Sequence, residues 1–188
     1  MPKSQKGFLF DQNFCIGCKA CEVACQVYHQ QEDTINWRHV DTFSINENNM
    51  KKEVYLSHSC HHCEEPACLE VCPTNAYTKR DDGIVVLDRD KCIGCGYCTE
   101  ACVYGAITLQ GKDKKAQKCN MCVEKQDVGE LPACVAGCPV KVLKLVEIKI
   151  SDAAGMVKSV VGFEQSNLKP SIRFYPKFRS TNYIGQGI

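Results

Sequence analysis

The sequence predicts an α+β fold of two interleaved small units, built from short β-hairpins, short helices and long loops. Three observations predict it. Sixteen cysteines fall into four groups of four, with none left over. The groups alternate in type, the first matching the third and the second matching the fourth. Short β-prone runs lie between the groups, and one pair of them flanks a strong hairpin signal, Asp82-Gly83.

Phe8-Leu9-Phe10, followed by Asp11-Gln12-Asn13-Phe14, predicts a short strand entering a turn. The first group comes next, Cys15-x2-Cys18-x2-Cys21-x3-Cys25. Its flank repeats at the third group: Asp11-Gln12-Asn13-Phe14-Cys15-Ile16-Gly17-Cys18 lies beside Asp88-Arg89-Asp90-Lys91-Cys92-Ile93-Gly94-Cys95. An internal repeat decides architecture before local propensity does. Residues 26–59 hold no cysteine. There Val40-Asp41-Thr42-Phe43-Ser44-Ile45 alternates like a half-buried strand, Glu53-Val54-Tyr55-Leu56 is its partner, and Asn46-Glu47-Asn48-Asn49 is the turn. Trp37, the single tryptophan, reads as packing.

The second group is Cys60-x2-Cys63-x4-Cys68-x3-Cys72-Pro73. In Ala76-Tyr77-Thr78-Lys79-Arg80-Asp81-Asp82-Gly83-Ile84-Val85-Val86-Leu87, two short β-prone runs then flank Asp82-Gly83 as a hairpin. The third group, Cys92-x2-Cys95-x2-Cys98-x3-Cys102, leads to a matching strand, Ala106-Ile107-Thr108-Leu109, closed by Gly111. Lys112-Asp113-Lys114-Lys115-Ala116-Gln117-Lys118 reads as an exposed, solvated connector. The fourth group is Cys119-x2-Cys122-x11-Cys134-x3-Cys138-Pro139, and Val142 to Ile150 predicts one more strand. Residues 1–150 thus form a four-group body. Residues 151–188, with Pro170 and Pro176, form an extended C-terminal tail that packs on the body or on a partner.

The run C-x2-C-x2-C-x3-C is the spacing that wraps a [4Fe–4S] cluster. Three thiols on a tight loop reach three corners of one cubane, and in two-cluster ferredoxins the fourth serves the neighbouring cluster. Gly94 and Gly96 suit such a loop, because glycine tolerates positive φ and lets backbone amides approach the sulfurs. Four groups of four thiols call for four [4Fe–4S] clusters. The second and third groups, joined by the hairpin as in a bacterial two-cluster ferredoxin, then give one cluster Cys60, Cys63, Cys68 and Cys102 and another Cys92, Cys95, Cys98 and Cys72. The first and fourth groups pair in turn: Cys15, Cys18 and Cys21 with Cys138, and Cys119, Cys122 and Cys134 with Cys25. Pairing first with second and third with fourth is the alternative that spacing leaves open. The fourth group alone also matches an all-cysteine zinc site, but its Pro132-Ala133-Cys134 repeats Pro66-Ala67-Cys68 of the second group, which favours a cluster. His61 and His62 read as donors to cluster sulfur, and His29, His39 and His58 as ordinary surface or core residues.

Composition excludes several classes. The net charge of +1 gives no support for nucleic acid or a membrane surface as partner. No apolar run approaches the roughly 18 residues a membrane span needs, and mean hydropathy is −0.26. Met1 to Lys6 lacks the apolar stretch of a secretory signal, so reduced, metal-ligating thiols are expected over disulfides. We find no nucleophile–base pair, no G-x-G-x-x-G and no P-loop. With all four cluster positions taken by cysteine, no open site is left for Lewis-acid chemistry, and one-electron transfer remains. The protein is expected to be non-catalytic and to need a donor and an acceptor.

Asn36-Trp37-Arg38-x-Val40, Cys60-x-His62-Cys63-Glu64-x-Pro66-Ala67-Cys68, Cys95-Gly96-Tyr97-Cys98 and Lys118-Cys119-x-Met121-Cys122 resemble the iron–sulfur subunits of DMSO reductase-type molybdopterin oxidoreductases. The likeness covers most of residues 8–150 and extends to Lys169-Pro170-Ser171-Ile172-Arg173-Phe174-Tyr175. It implies an electron-transfer subunit docked on a large catalytic subunit that carries a molybdenum or tungsten pterin cofactor, that cofactor lying in the partner and not in this chain. A membrane quinone-linked subunit or a soluble carrier would complete the path. The resemblance implies a cytoplasmic chain, membrane-associated through a partner, with co-export to the periplasm beside a twin-arginine partner left open. One departure is Cys102-Val103-Tyr104-Gly105, where the family commonly has Cys-Pro-Tyr. A free-standing polyferredoxin and, more remotely, a zinc-binding interaction module are the competing readings.

Overall fold

The computed structural model describes residues 4–47, 49–109, 111–148 and 155–177. In chain order its elements are β1 (Lys6–Asp11), α1 (Ala20–Tyr28), β2 (Arg38–Glu47), β3 (Met50–Ser59), α2 (Ala67–Glu70), β4 (Tyr77–Lys79), β5 (Val85–Leu87), α3 (Tyr97–Ala101), α4 (Val123–Asp127), α5 (Ala133–Ala136), β6 (Leu143–Glu147) and β7 (Ile172–Tyr175). The strands make three small sheets, ordered β6-β1-β7, β2-β3 and β4-β5.

β1 is the middle strand of the first sheet, antiparallel to β6 and parallel to β7. Its unbroken Phe8-Leu9-Phe10 run fits a strand covered on both faces, and all three residues are buried. Phe8 and Phe10 join Leu56, Met121, Leu143, Phe163, Ile172 and Phe174 in the main core. A parallel pair cannot close through a tight turn, so β7 reaches β1 only after the chain has passed through all four cysteine groups. The segment 155–177 therefore contributes a strand and the aromatic rings of Phe163 and Phe174 to the same core as β1. The expected strand from Val142 is β6, which ends at Glu147; residues 149 and 150 lie outside the described residues.

β2 and β3 form a hairpin of ten residues per strand, longer at both ends than the alternating pattern suggests. β4 and β5 pair as expected around Asp82-Gly83, with Gly83 at φ +82°. The chain start is tied to this turn: Ser4 and Lys6 donate backbone N–H groups to Asp81 and Asp82 carbonyls.

Two expectations fail in the stretch after the third group. The strand over 106–109 is reduced to one bridge, Thr108 to Gln117. The connector that follows turns inward rather than extending the ladder, and Ala116 N–H donates to Cys92 Sγ at 3.4 Å. Nor is that connector solvated throughout: Ala116, Gln117 and Lys118 are buried. Lys118 goes in with its ammonium satisfied by the Val85 and Cys119 carbonyls.

Candidate metal centres

The sequence repeat recurs in the backbone. Gly17 and Gly94 share a left-handed conformation (φ +67° and +72°), as do Lys19 and Gly96 two residues on (+58° and +87°). In the other pair of groups, His62 and Met121 match (+44° and +59°), and so do Asn75 and Lys141 (+50° and +55°). These reversals curl each loop so that its amides face inward. Gly94 is needed sterically as well, since a Cβ there would lie 2.7 Å from the Lys114 carbonyl oxygen. The resulting donors are Met121 N–H to Cys119 Sγ at 3.3 Å, Ala76 N–H to Cys72 Sγ at 3.3 Å and Ala116 N–H to Cys92 Sγ.

Four thiol sets emerge. Cys15, Cys18, Cys21 and Cys138 line one cavity, with Phe10, Val40, Val142 and Leu143 among its apolar walls. Cys60, Cys63, Cys68 and Cys102 line a second, walled by His61, His62, Val85 and Tyr104. Cys25 and Cys122 each lie within electrostatic reach of Cys119 and Cys134, and all four are buried. Cys92, Cys95 and Cys98 interact in the same way. Cys72 and Cys92, with Cys68 and Cys102, pack against the smaller core that contains Cys98, built on Tyr77, Ile107 and Ala116. Neighbouring sets lie within electrostatic reach in a row: Cys21 of Cys134, Cys119 of Cys60, and Cys68 of Cys98. Cys18 and Cys95, in the two end sets, are the exposed thiols.

The electrostatics demand positive charge from a ligand. Burial, reinforced by neighbouring thiols, pushes Cys63, Cys68 and Cys122 up to about 12. Burial likewise lifts Cys119 to about 11, although Arg38 works against it. Such thiols stay protonated at neutral pH without metal, and binding must displace their protons. Cys72 goes the other way: burial raises it, but hydrogen bonds from Ala76 N–H and its Thr74 and Tyr77 neighbours outweigh burial and hold it low.

The walls fit an iron–sulfur cluster. Val85 N–H donates to His62 Nδ1 at 3.0 Å. Burial, with Lys118 next in effect, keeps this imidazole neutral, so the proton resides on Nε2. That N–H is buried with no hydrogen-bond partner among the described residues, in the wall of the cavity ringed by Cys60, Cys63, Cys68 and Cys102. Both nitrogens of His61 are orphaned in the same wall. Orphaned buried donors beside thiols call for sulfur acceptors. No three described His, Cys, Asp or Glu side chains converge on one point as a single zinc ion requires.

Sequence reasoning missed four contributors. His29, read as ordinary, has Nε2 3.3 Å from Cys122 Sγ and its ring 4.6 Å from that of Trp37. Lys118 lies within electrostatic reach of Cys68, and Tyr77 shares the smaller core with Cys98. Arg38 is wholly buried among thiols. Of these, Arg38 and Lys118 carried a signal, since both stand in the motifs of the family resemblance, Asn36-Trp37-Arg38-x-Val40 and Lys118-Cys119-x-Met121-Cys122. At the Cys102-Val103 departure the turn is held by Tyr104, whose hydroxyl donates to Ser166 Oγ at 2.8 Å and accepts from Ser166 N–H at 2.9 Å.

Comparison with known proteins agrees with this chemistry. The 4Fe-4S dicluster domain family matches residues 51–148, and a second 4Fe-4S dicluster domain family matches residues 14–76. A polypeptide of the anaerobic dimethyl sulfoxide reductase of Escherichia coli (strain K12) is 36% identical over 187 residues, covering 94% of this chain and 91% of that protein. A subunit of the tetrathionate reductase of Salmonella typhimurium is 37% identical over 139 residues, covering 73% of this chain and 56% of that protein. The nitrate-inducible formate dehydrogenase iron-sulfur subunit of Escherichia coli is 37% identical over 155 residues, covering 73% and 52%. With its four thiol sets and these relatives, the protein belongs to the 4Fe-4S dicluster family, among the iron–sulfur electron-transfer subunits of molybdopterin oxidoreductases.

Proposed function

We propose that each thiol set holds one [4Fe–4S] cluster: Cys15, Cys18, Cys21 and Cys138; Cys60, Cys63, Cys68 and Cys102; Cys92, Cys95, Cys98 and Cys72; Cys119, Cys122, Cys134 and Cys25. The observation that carries the reading is the cavity where Cys138 meets Cys15, Cys18 and Cys21, thiols from opposite ends of the cysteine-bearing region. When bound, the clusters supply one-electron carriers whose potentials respond to charge, burial and hydrogen bonds. The protein's own residues fix their positions in a row and keep water from the buried set of Cys25, Cys119, Cys122 and Cys134. The exposed Cys18 and Cys95 mark the two ends, where the protein takes up and hands on single electrons. One end serves a molybdopterin catalytic subunit, and the other a quinone-linked membrane subunit or a soluble carrier.

The matching left-handed residues of alternate groups support two interleaved ferredoxin-like units within residues 1–150. The packing of β7 against β1 supports a tail, 151–188, that docks on this body. No helix among the described residues is long and apolar enough to cross a membrane. The need for reduced thiols supports loading in the cytoplasm, membrane attachment then coming through a partner.

The test is metal analysis of the native complex, tagged on this chain and purified without oxygen. Sixteen or more irons per chain, about four for each four-cysteine site, together with molybdenum or tungsten, is the expected result. Iron without either heavy metal would point to a free-standing polyferredoxin. Zinc in place of iron would overturn the assignment.

A further inference from the structure

Arg38 opens β2 and is 1% exposed. A guanidinium keeps its charge at every pH a folded protein meets, so burying one without a counter-charge is costly. Among the described residues no carboxylate pairs with it. Its Nη1 and Nη2 groups donate to neutral acceptors, Ser57 Oγ and Ser59 Oγ, both at 3.0 Å. Its guanidinium carbon lies 4.6 Å from the centroid of the Phe8 ring. Nε–H has no hydrogen-bond partner among the described residues.

The groups that can answer its charge are sulfur, thiolate once a bound metal displaces their protons. Burial opposes the guanidinium charge, but the thiols of Cys134, Cys119, Cys21 and Cys25 outweigh it. Those four belong to two adjacent sets. Ser57 links the cation to one of them directly: its hydroxyl oxygen accepts from Arg38, which leaves its own proton to bond Cys21 Sγ at 3.3 Å.

The repeat indicates that this placement has a counterpart. Lys118, immediately before Cys119, lies buried within electrostatic reach of Cys68, the third thiol of the second group. Arg38 lies within electrostatic reach of Cys134, the third thiol of the fourth group, anchored by Ser59 immediately before Cys60. Each unit thus carries one buried cation within electrostatic reach of the equivalent thiol, supplied in one case by the motif itself and in the other by β2.

We propose that Arg38 sets the reduction potentials of the two clusters held by Cys15, Cys18, Cys21, Cys138 and by Cys25, Cys119, Cys122, Cys134, its charge fixed between them by Ser57 and Ser59. A thiolate-ligated cluster is an anion and becomes more negative on reduction. A cation fixed beside it in a water-poor interior therefore stabilises the reduced form and raises the potential. Arg38 is a tuning residue, and it rests on the ligand assignment above.

The experiment uses the native complex carrying Arg38→Gln or Arg38→Lys, with iron and sulfide content measured first and each cluster then followed by potentiometric titration with electron paramagnetic resonance detection. In R38Q, with iron unchanged, two of the four midpoints should fall, each by at least a tenfold loss in the one-electron equilibrium constant, about 59 mV. The other two should hold, and R38K should recover most of the loss. Unchanged midpoints, an equal fall in all four, or R38K falling as far as R38Q would overturn the proposal. Fewer than four clusters in the wild-type complex would instead overturn the ligand assignment. If R38Q does not assemble, Ser57→Ala combined with Ser59→Ala keeps the charge and removes its anchors. The same two midpoints should then fall by less, and their constancy would sink the idea.

Discussion

Truncating Phe174 to alanine tests whether the C-terminal segment is part of the body. The side chain is fully buried, its ring centroid 5.0 Å from that of Phe163. On β7 it stands in register with Phe10 of β1, and its backbone exchanges hydrogen bonds with Val157 at 2.9 and 3.0 Å. Those backbone bonds survive truncation, so the loss is that of a buried ring and the cavity left behind, about 3–5 kcal/mol. Against a total of about 5–15 kcal/mol for a folded domain, one substitution removes a large share. Cluster loss makes unfolding irreversible, so the observable is a half-life, read from bleaching of the visible absorbance at fixed temperature. At about 1.4 kcal/mol per factor of ten, the half-life should shorten by roughly two to nearly four decades, less whatever share of the contact already exists in the transition state. Val128→Ala, at a side chain 73% exposed, is the control and should stay within about threefold of wild type, matching the ±0.5 kcal/mol usual at surfaces. If F174A also stays within threefold, β7 is an appendage and the core as described is wrong.

Two further outcomes follow from single residues. Lys19 holds φ +58° where its counterpart in the repeat is Gly96, so Lys19→Gly should relieve a left-handed penalty of about 1–2 kcal/mol against a glycine entropy cost of about 0.5–1 kcal/mol, slowing bleaching modestly; faster bleaching would show that the lysine serves the cavity it lines. His61, buried edge-on to Tyr104 and Phe163, is held neutral down to about 3, chiefly by burial and then by His58 and Arg38. Its folded value lies below the unfolded one, so its stability contribution is complete above about 6.5 and drains as pH falls toward 3, amounting to about 2 kcal/mol by pH 5. His61→Phe should therefore show a shallower fall in bleaching half-life between pH 6.5 and 5 than wild type, and parallel curves would refute the buried neutral imidazole.

What the sequence made legible is what ligand chemistry or local pairing dictates. Cysteine spacing is set by the size of a cluster, which is why the four groups and their alternation stand out, and why the left-handed positions repeat beside them. Phe8-Leu9-Phe10 and the Asp82-Gly83 turn carry their structure within a few residues. β7 does not: Ile172 to Tyr175 is a short run whose partner, β1, lies at the far end of the chain, and no local pattern encodes a parallel pairing. The basic residues misled for a different reason. Lysine and arginine are solvated by default, so Lys118 reads as connector and Arg38 is assigned no role of its own, whereas both are buried within electrostatic reach of thiols distant in sequence. His29 escaped in the same way, meeting Cys122 across the fold. The interior of this protein is therefore organised twice. An apolar core forms around β1, and a second layer of cations, imidazoles and amides is ordered around sulfur. That second layer follows from the placement of thiolate charge in three dimensions, which spacing along the chain reveals only in part.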